Sequence, residues 1–134
     1  MTPYPGSQPT RGPTSTAPSS ELRSIFERRD AAELVRFAEA KGRELSNVDL
    51  STSQVRNVLD AIQMMKRFDR NELQLLRPKL AYAAGKKQNI RPFRAILDEA
   101  IGYVKTEEDF RTFRSLVEAL VAYHALAESE RRNR

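Results

Sequence analysis

From Glu21 to the C-terminus, apolar residues recur every three or four positions, and nowhere does the chain alternate apolar and polar residues between turn signals as a half-buried strand would. The pattern predicts helices over 21–28, 31–45, 53–69, 72–87, 91–104 and 107–130. Start signals support these boundaries: Ser19 or Ser20 before Glu21, Asp30 before Ala31, Ser51 with Gln54 as a capping box, Asn71 before Glu72, and Thr106 before three acidic residues. Each helix carries one apolar stripe. Leu34, Phe37, Ala38 and Leu45 form the second; Val55, Val58, Leu59, Ile62 and Met65 the third; Leu73, Leu76, Leu80, Ala83 and Ala84 the fourth. Phe93, Ile96, Leu97, Ala100, Ile101 and Val104 follow on the fifth, and Phe110, Phe113, Leu116, Val117, Leu120, Val121 and His124 on the last. Such faces bury one another, so the expected fold is all-α, a compact bundle of five to six helices without a repeat period. Pro78 falls inside the fourth pattern and predicts a kink or a restarted helix there.

Composition marks off the ends. Residues 1–20 contain five of the seven Pro, eight Ser or Thr and one charge, Arg11. A segment with so little to bury cannot offset its ordering entropy, which predicts a disordered tail ahead of a helical domain over 21–130, with 131–134 a frayed end. The fraying is expected to start near Glu128. With 40% apolar and 31% charged residues and no apolar run near the ~20 needed to cross a bilayer, a cytoplasmic protein is expected.

Absence of Cys and the presence of one His, His124, leave metal centres and nucleophilic catalysis short of parts. His124 lies on an apolar stripe, where a packed, hydrogen-bonded histidine is the ordinary reading. Adjacent Asp98 and Glu99 diverge by ~100° on a helix and do not form an acid and base pair. Gly85-Lys86-Lys87 lacks the upstream glycine of a phosphate loop and reads as a helix stop. The expectation is a non-enzyme with no cofactor and no metal.

Charge changes this picture further. The formal net charge of +5 is uneven: residues 51–94 hold 10 basic and 3 acidic groups, residues 21–50 hold 6 and 7, and residues 95–127 hold 3 and 6. On a continuous third helix, Arg56, Gln63, Arg67 and Arg70 would share one side as a basic ridge. On the fourth, Leu75, Lys79, Tyr82 and Lys86 share a face away from the leucine stripe, setting an aromatic ring between two ammonium groups. Lys87, Arg91 and Arg94 extend the charge into the fifth helix. Spaced cations with an interleaved aromatic suit a polynucleotide backbone, and the segment contains only Asp60, Asp69 and Glu72 to pair with them. The bland reading is a basic face kept for solubility. The competing nucleic-acid reading is a helix-turn-helix DNA-binding regulator, with Gln54, Arg56 and Asn57 on a recognition helix starting near Ser53.

Three stretches in series, Leu50-Ser51-Thr52-Ser53-Gln54-Val55-Arg56-Asn57, then Leu75-Leu76-Arg77-Pro78-Lys79-Leu80-Ala81-Tyr82-Ala83-Ala84-Gly85-Lys86, then Glu118-Ala119-Leu120-Val121-Ala122-Tyr123-His124, resemble the small subunit of the type III-A CRISPR effector, the Csm complex. The resemblance runs from about Phe37 to Ala127. It implies an all-helical, non-catalytic subunit of an antiviral ribonucleoprotein that contacts crRNA and target RNA, sits beside the backbone and large subunits, and stacks on further copies of itself in a filament. It places basic positions of the family on Arg56, Arg77, Lys79 and Lys86. Arg67, Arg70, Tyr82, Lys87, Arg91 and Arg94 rest on the helical-face reading alone.

Overall fold

The computed structural model of the protein describes residues 20–48, 50–86 and 88–133, with side chains described at all of these except 20, 83–86 and 88. The expected tail over 1–20 therefore lies outside the described residues except for the backbone of Ser20, which opens the first helix. Among the described residues the fold has six α-helices, α1 Ser20–Arg28, α2 Ala31–Ser46, α3 Thr52–Gln63, α4 Arg70–Lys86, α5 Arg91–Tyr103 and α6 Glu107–Arg132, with a 3-10 turn at Gln88–Ile90 before α5. No strand occurs among the described residues. The all-α bundle expected from periodicity is the observed architecture.

Local chemistry sets most of the starts. The Asp30 carboxylate accepts from the Ala32 N–H at 3.0 Å and opens α2. Ser51 and Gln54 form a reciprocal capping box at α3, with both bonds in place at 3.0 and 3.1 Å. Thr106 Oγ1 accepts from Asp109 N–H at 3.1 Å and opens α6. Between α1 and α2 the chain turns on Arg29, whose φ of 52° is left-handed and whose N–H closes α1 on the Ile25 carbonyl at 2.8 Å. Left-handed backbone costs an L-residue about 1–2 kcal/mol. Arg29 tolerates it while its guanidinium pairs with Asp109 at 3.0 Å and Glu108 at 3.6 Å, tying this corner to the first turn of α6.

α6 is the central helix, and α2 lies along it. Phe113, Leu116, Val117 and Leu120 are completely buried. The two helices come close at Gly42, where an added Cβ would stand 2.8 Å from the backbone N of His124 and 2.9 Å from the Tyr123 carbonyl carbon. Hydrogen removes the side chain that would hold the two helices apart. A turn further on, buried Ser46 donates to Glu128 at 2.9 Å, and Arg131 joins the same carboxylate at 3.0 Å. Helical order therefore passes through Glu128, where the composition predicts the start of fraying, and extends to Arg132. α1 closes the opposite end: Leu22, Ile25 and Phe26 are buried, and the Phe26 ring meets Tyr103 of α5 at 5.7 Å between centroids.

Candidate nucleic-acid interface

The basic segment spans α3, the following loop, α4 and the start of α5. Val55 and Ile62 bury one side of α3, which leaves Arg56 and Asn57 exposed one turn after the cap. Gln54 is committed inward: besides the capping box, its amide donates to Asn89 at 3.4 Å. The side chain a recognition helix would extend to a base edge is thus engaged within the chain.

α3 ends at Gln63, six residues before the expected end. The Met64 N–H closes on the Asp60 carbonyl at 3.1 Å, the Met65 N–H on the Ile62 carbonyl at 3.0 Å, and Met65 turns into the core. Two contacts outweigh the helical periodicity of 64–69. Glu107 captures the Phe68 N–H at 2.9 Å, while the Phe68 ring packs on Phe110 at 6.2 Å, so the loop is docked on the first turn of α6. Asp69, not Asn71, then caps α4 through the Glu72 N–H at 3.0 Å. The expected ridge Arg56-Gln63-Arg67-Arg70 consequently does not exist as one helical face. Arg67 sits exposed in the loop, Arg70 is the exposed first residue of α4, and Gln63 turns toward α6 to donate to Glu118 at 3.1 Å.

α4 runs unbroken from Arg70 to Lys86 with Pro78 inside it, so the helix does not restart at the proline. Leu73, Leu76 and Leu80 are buried, and Pro78 is on the outer side. Leu75 (61% exposed), Lys79 and Tyr82 (69% exposed) project outward at spacings of four and three, as the helical-face reading predicts. The side chains of Ala83, Ala84 and Lys86, and the whole of Lys87, lie outside the described residues.

Arg77 and Arg94 behave differently from the other cations. Arg77 Nη1 meets Asp98 Oδ1 at 3.1 Å, and Arg94 Nη2 meets Asp98 Oδ2 at 3.7 Å. Asp98 lies outside the segment by sequence, yet folding brings it against two arginines that the charge pattern leaves unopposed. Arg56, Lys66, Arg67, Arg70, Lys79 and Arg91 are exposed and form no ion pair among the described residues. Lys66 belongs to this set by position in the loop, and Arg114 adds a further cation nearby, stacked 5.8 Å over the Phe110 ring against which the loop docks. Helical periodicity singles out neither, since the docking of the loop on α6 leaves no periodic trace.

Among the described residues no group of His, Cys, Asp and Glu could hold a metal ion, and no helix is long and apolar enough to cross a membrane. His124, fully buried, uses Nε2 on the Leu50 carbonyl at 2.7 Å.

The fold and these exposed cations are accompanied by a match over most of the chain: the family model Csm2 Type III-A covers residues 28–130. The chain belongs to the Csm2 type III-A family. It is thereby a small subunit of the type III-A CRISPR effector, the Csm complex. No curated protein and no solved structure matches it. Arg56, Arg67, Arg70, Arg77, Lys79, Tyr82, Arg91, Arg94 and Asp98 all fall within the Csm2 match. Leu22, Ile25 and Phe26 of α1 precede it, although they are part of this Csm2-family chain's core.

Proposed function

We propose that this subunit is a non-catalytic RNA-contacting element of the Csm ribonucleoprotein, holding crRNA and target RNA by their backbones whatever the sequence. The observation that carries the reading is the outer face of α4, where Lys79 stands between exposed Leu75 and Tyr82, together with the exposure of Arg56, Arg67, Arg70 and Arg91. Spaced, unpaired cations on helices and a loop suit phosphates at intervals, and an exposed tyrosine offers a stacking surface for a base or ribose. Base pairing between guide and target carries sequence choice in RNA-guided systems, so the protein's task is satisfied by backbone contacts. Lys86 and Lys87 extend the face by sequence. Arg77 and Arg94 contribute through their arrangement on Asp98.

Copies of the subunit stack head to tail beside the backbone and large subunits, a heterologous contact that extends as a filament. Exposed Met64, Val48 and Leu126 supply apolar surface for these contacts. In the assembled complex, Arg56→Ala, Arg67→Ala and Lys79→Ala should each weaken RNA binding by a similar factor across unrelated sequences. Unchanged affinity in all three would refute the reading.

A further inference from the structure

α5 presents Arg94, Asp98 and Gly102 on successive turns, and Arg77 crosses from α4 to lie over them. Its Nη1 is held by Asp98 at 3.1 Å. Its Nη2 points along the helix to Gly102, where a Cβ built on that glycine would be 3.7 Å away and would meet nothing else within 4 Å outside its own helix. Gly102 is exposed, so the position its Cβ would take is open except for Nη2. Arg94 approaches the other oxygen of the same carboxylate at 3.7 Å. The guanidinium groups of two arginine side chains, 36% and 40% exposed, are thus gathered round the carboxylate of one aspartate side chain that is 31% exposed.

On these observations, and resting on the RNA-contacting reading above, we propose that Arg77, Arg94 and Gly102 form a phosphodiester-binding slot of RNA, with Asp98 as its positioning residue. Each guanidinium offers five N–H donors and a carboxylate occupies only part of them. The pair retains a net positive charge after Asp98 is counted. A rigid planar fork held in place by a carboxylate loses less side-chain freedom on binding than a free arginine, a saving of about 2- to 10-fold in affinity for each side chain kept from ordering. Gly102 keeps the approach to Nη2 open, at the expense of a poorer helix former in the last turn of α5.

Coulomb's law alone gives the opposite sign for Asp98: deleting a negative charge beside a polyanion site should tighten binding. RNA affinity of the assembled complex, measured by titration at several salt concentrations, separates the two. Asp98→Ala should weaken binding about threefold or more despite the gain in positive charge, and Asp98→Asn, which keeps an acceptor oxygen, should weaken it less. Gly102→Leu fills the space beside Nη2 without changing charge; it should weaken binding about as much as Arg77→Ala, while the melting temperature of the subunit holds or rises. Equal or tighter binding by Asp98→Ala, or wild-type binding by Gly102→Leu, overturns the slot. If Arg77→Ala and Arg94→Ala are also silent while Arg56→Ala and Lys79→Ala weaken binding, the slot fails and the wider RNA reading stands. If every one of these variants is silent, both fail.

Discussion

The imidazole of His124 on α6 donates its Nε2–H to the backbone carbonyl of Leu50 at 2.7 Å, with both residues fully buried. A carbonyl can only accept, which places the hydrogen on Nε2, and Nδ1 has no partner. Leu50 is the residue before the Ser51 cap, so the only histidine of the chain fixes the point from which α3 and Arg56 depart. This bond gives a structural reason for its place in the third sequence motif.

His124→Ala should remove the donor from a buried carbonyl and open a cavity, costing about 2 kcal/mol or more. His124→Gln, whose amide reaches in the direction of Nε2, should lose clearly less. Thermal unfolding of the isolated subunit reads both. Equal losses in the two variants would contradict the assigned bond, and RNA cleavage by the purified chain that disappears with His124→Ala would contradict the structural role.

Gly42→Ala should destabilise the bundle by about 1–3 kcal/mol, because the new methyl group meets the α6 backbone and the helices must separate. Helix propensity acts the other way by about 0.5–1 kcal/mol. Urea denaturation decides which effect wins: a midpoint at or above wild type would show that α2 and α6 have room at the crossing.

Acid should weaken the fold through two carboxylates. Burial raises the Asp109 pKa, but bonds from the Lys105 N–H, Arg29 and Thr106 outweigh it, and the net effect is a lowered value. Glu128 is likewise raised by burial and lowered further by bonds from Ser46 and Arg131 and by the charges of Arg131 and His124. Both groups hold their protons less tightly folded than unfolded, so their contribution is complete above the unfolded values, near 4, and is lost as pH falls through the lower folded ones. The melting temperature should drop between about pH 5 and pH 3, and Glu128→Gln should flatten that drop while lowering stability near neutrality. An unchanged acid limb in Glu128→Gln would contradict the assignment.

All of α1 but Arg28 lies ahead of the Csm2 match, yet it seals the bundle with three buried side chains. Phe26→Ala, which empties the site against Tyr103, should cost about 3 kcal/mol. A loss under about 1 kcal/mol in urea denaturation would mean that α1 packs only loosely.

What can be read from the chain depends on distance along it. The caps at Asp30, Ser51 and Thr106 are local devices, with partners within three residues, and they appear where the pattern places them. The end of α3 is illegible in sequence because its causes are remote: Glu107 takes the Phe68 N–H from 39 residues away, and nothing in the periodicity of 64–69 announces it. Arg67 and Arg70 therefore share no ridge with Arg56, although each is exposed. The α4 face is legible, since Leu75, Lys79 and Tyr82 follow from helical spacing alone. Asp98 carries no signal in sequence beyond its failure to pair with Glu99 as acid and base. Its contact with Arg77, 21 residues earlier, exists only because α4 and α5 pack together. Gly42 reads as punctuation within a helical pattern, and its meaning lies in the α6 backbone beside it.

Proposed contacts to the RNA backbone are electrostatic, so they should show in the salt dependence of affinity. RNA binding by the assembled complex should weaken linearly on a log-log plot against salt. A complex with Arg56, Arg67, Arg70 and Lys79 all replaced by alanine should show a slope shallower by about 0.7 to 0.9 for each phosphate that a copy no longer neutralises. Identical slopes and affinities in the two complexes would show that these side chains do not hold the RNA backbone.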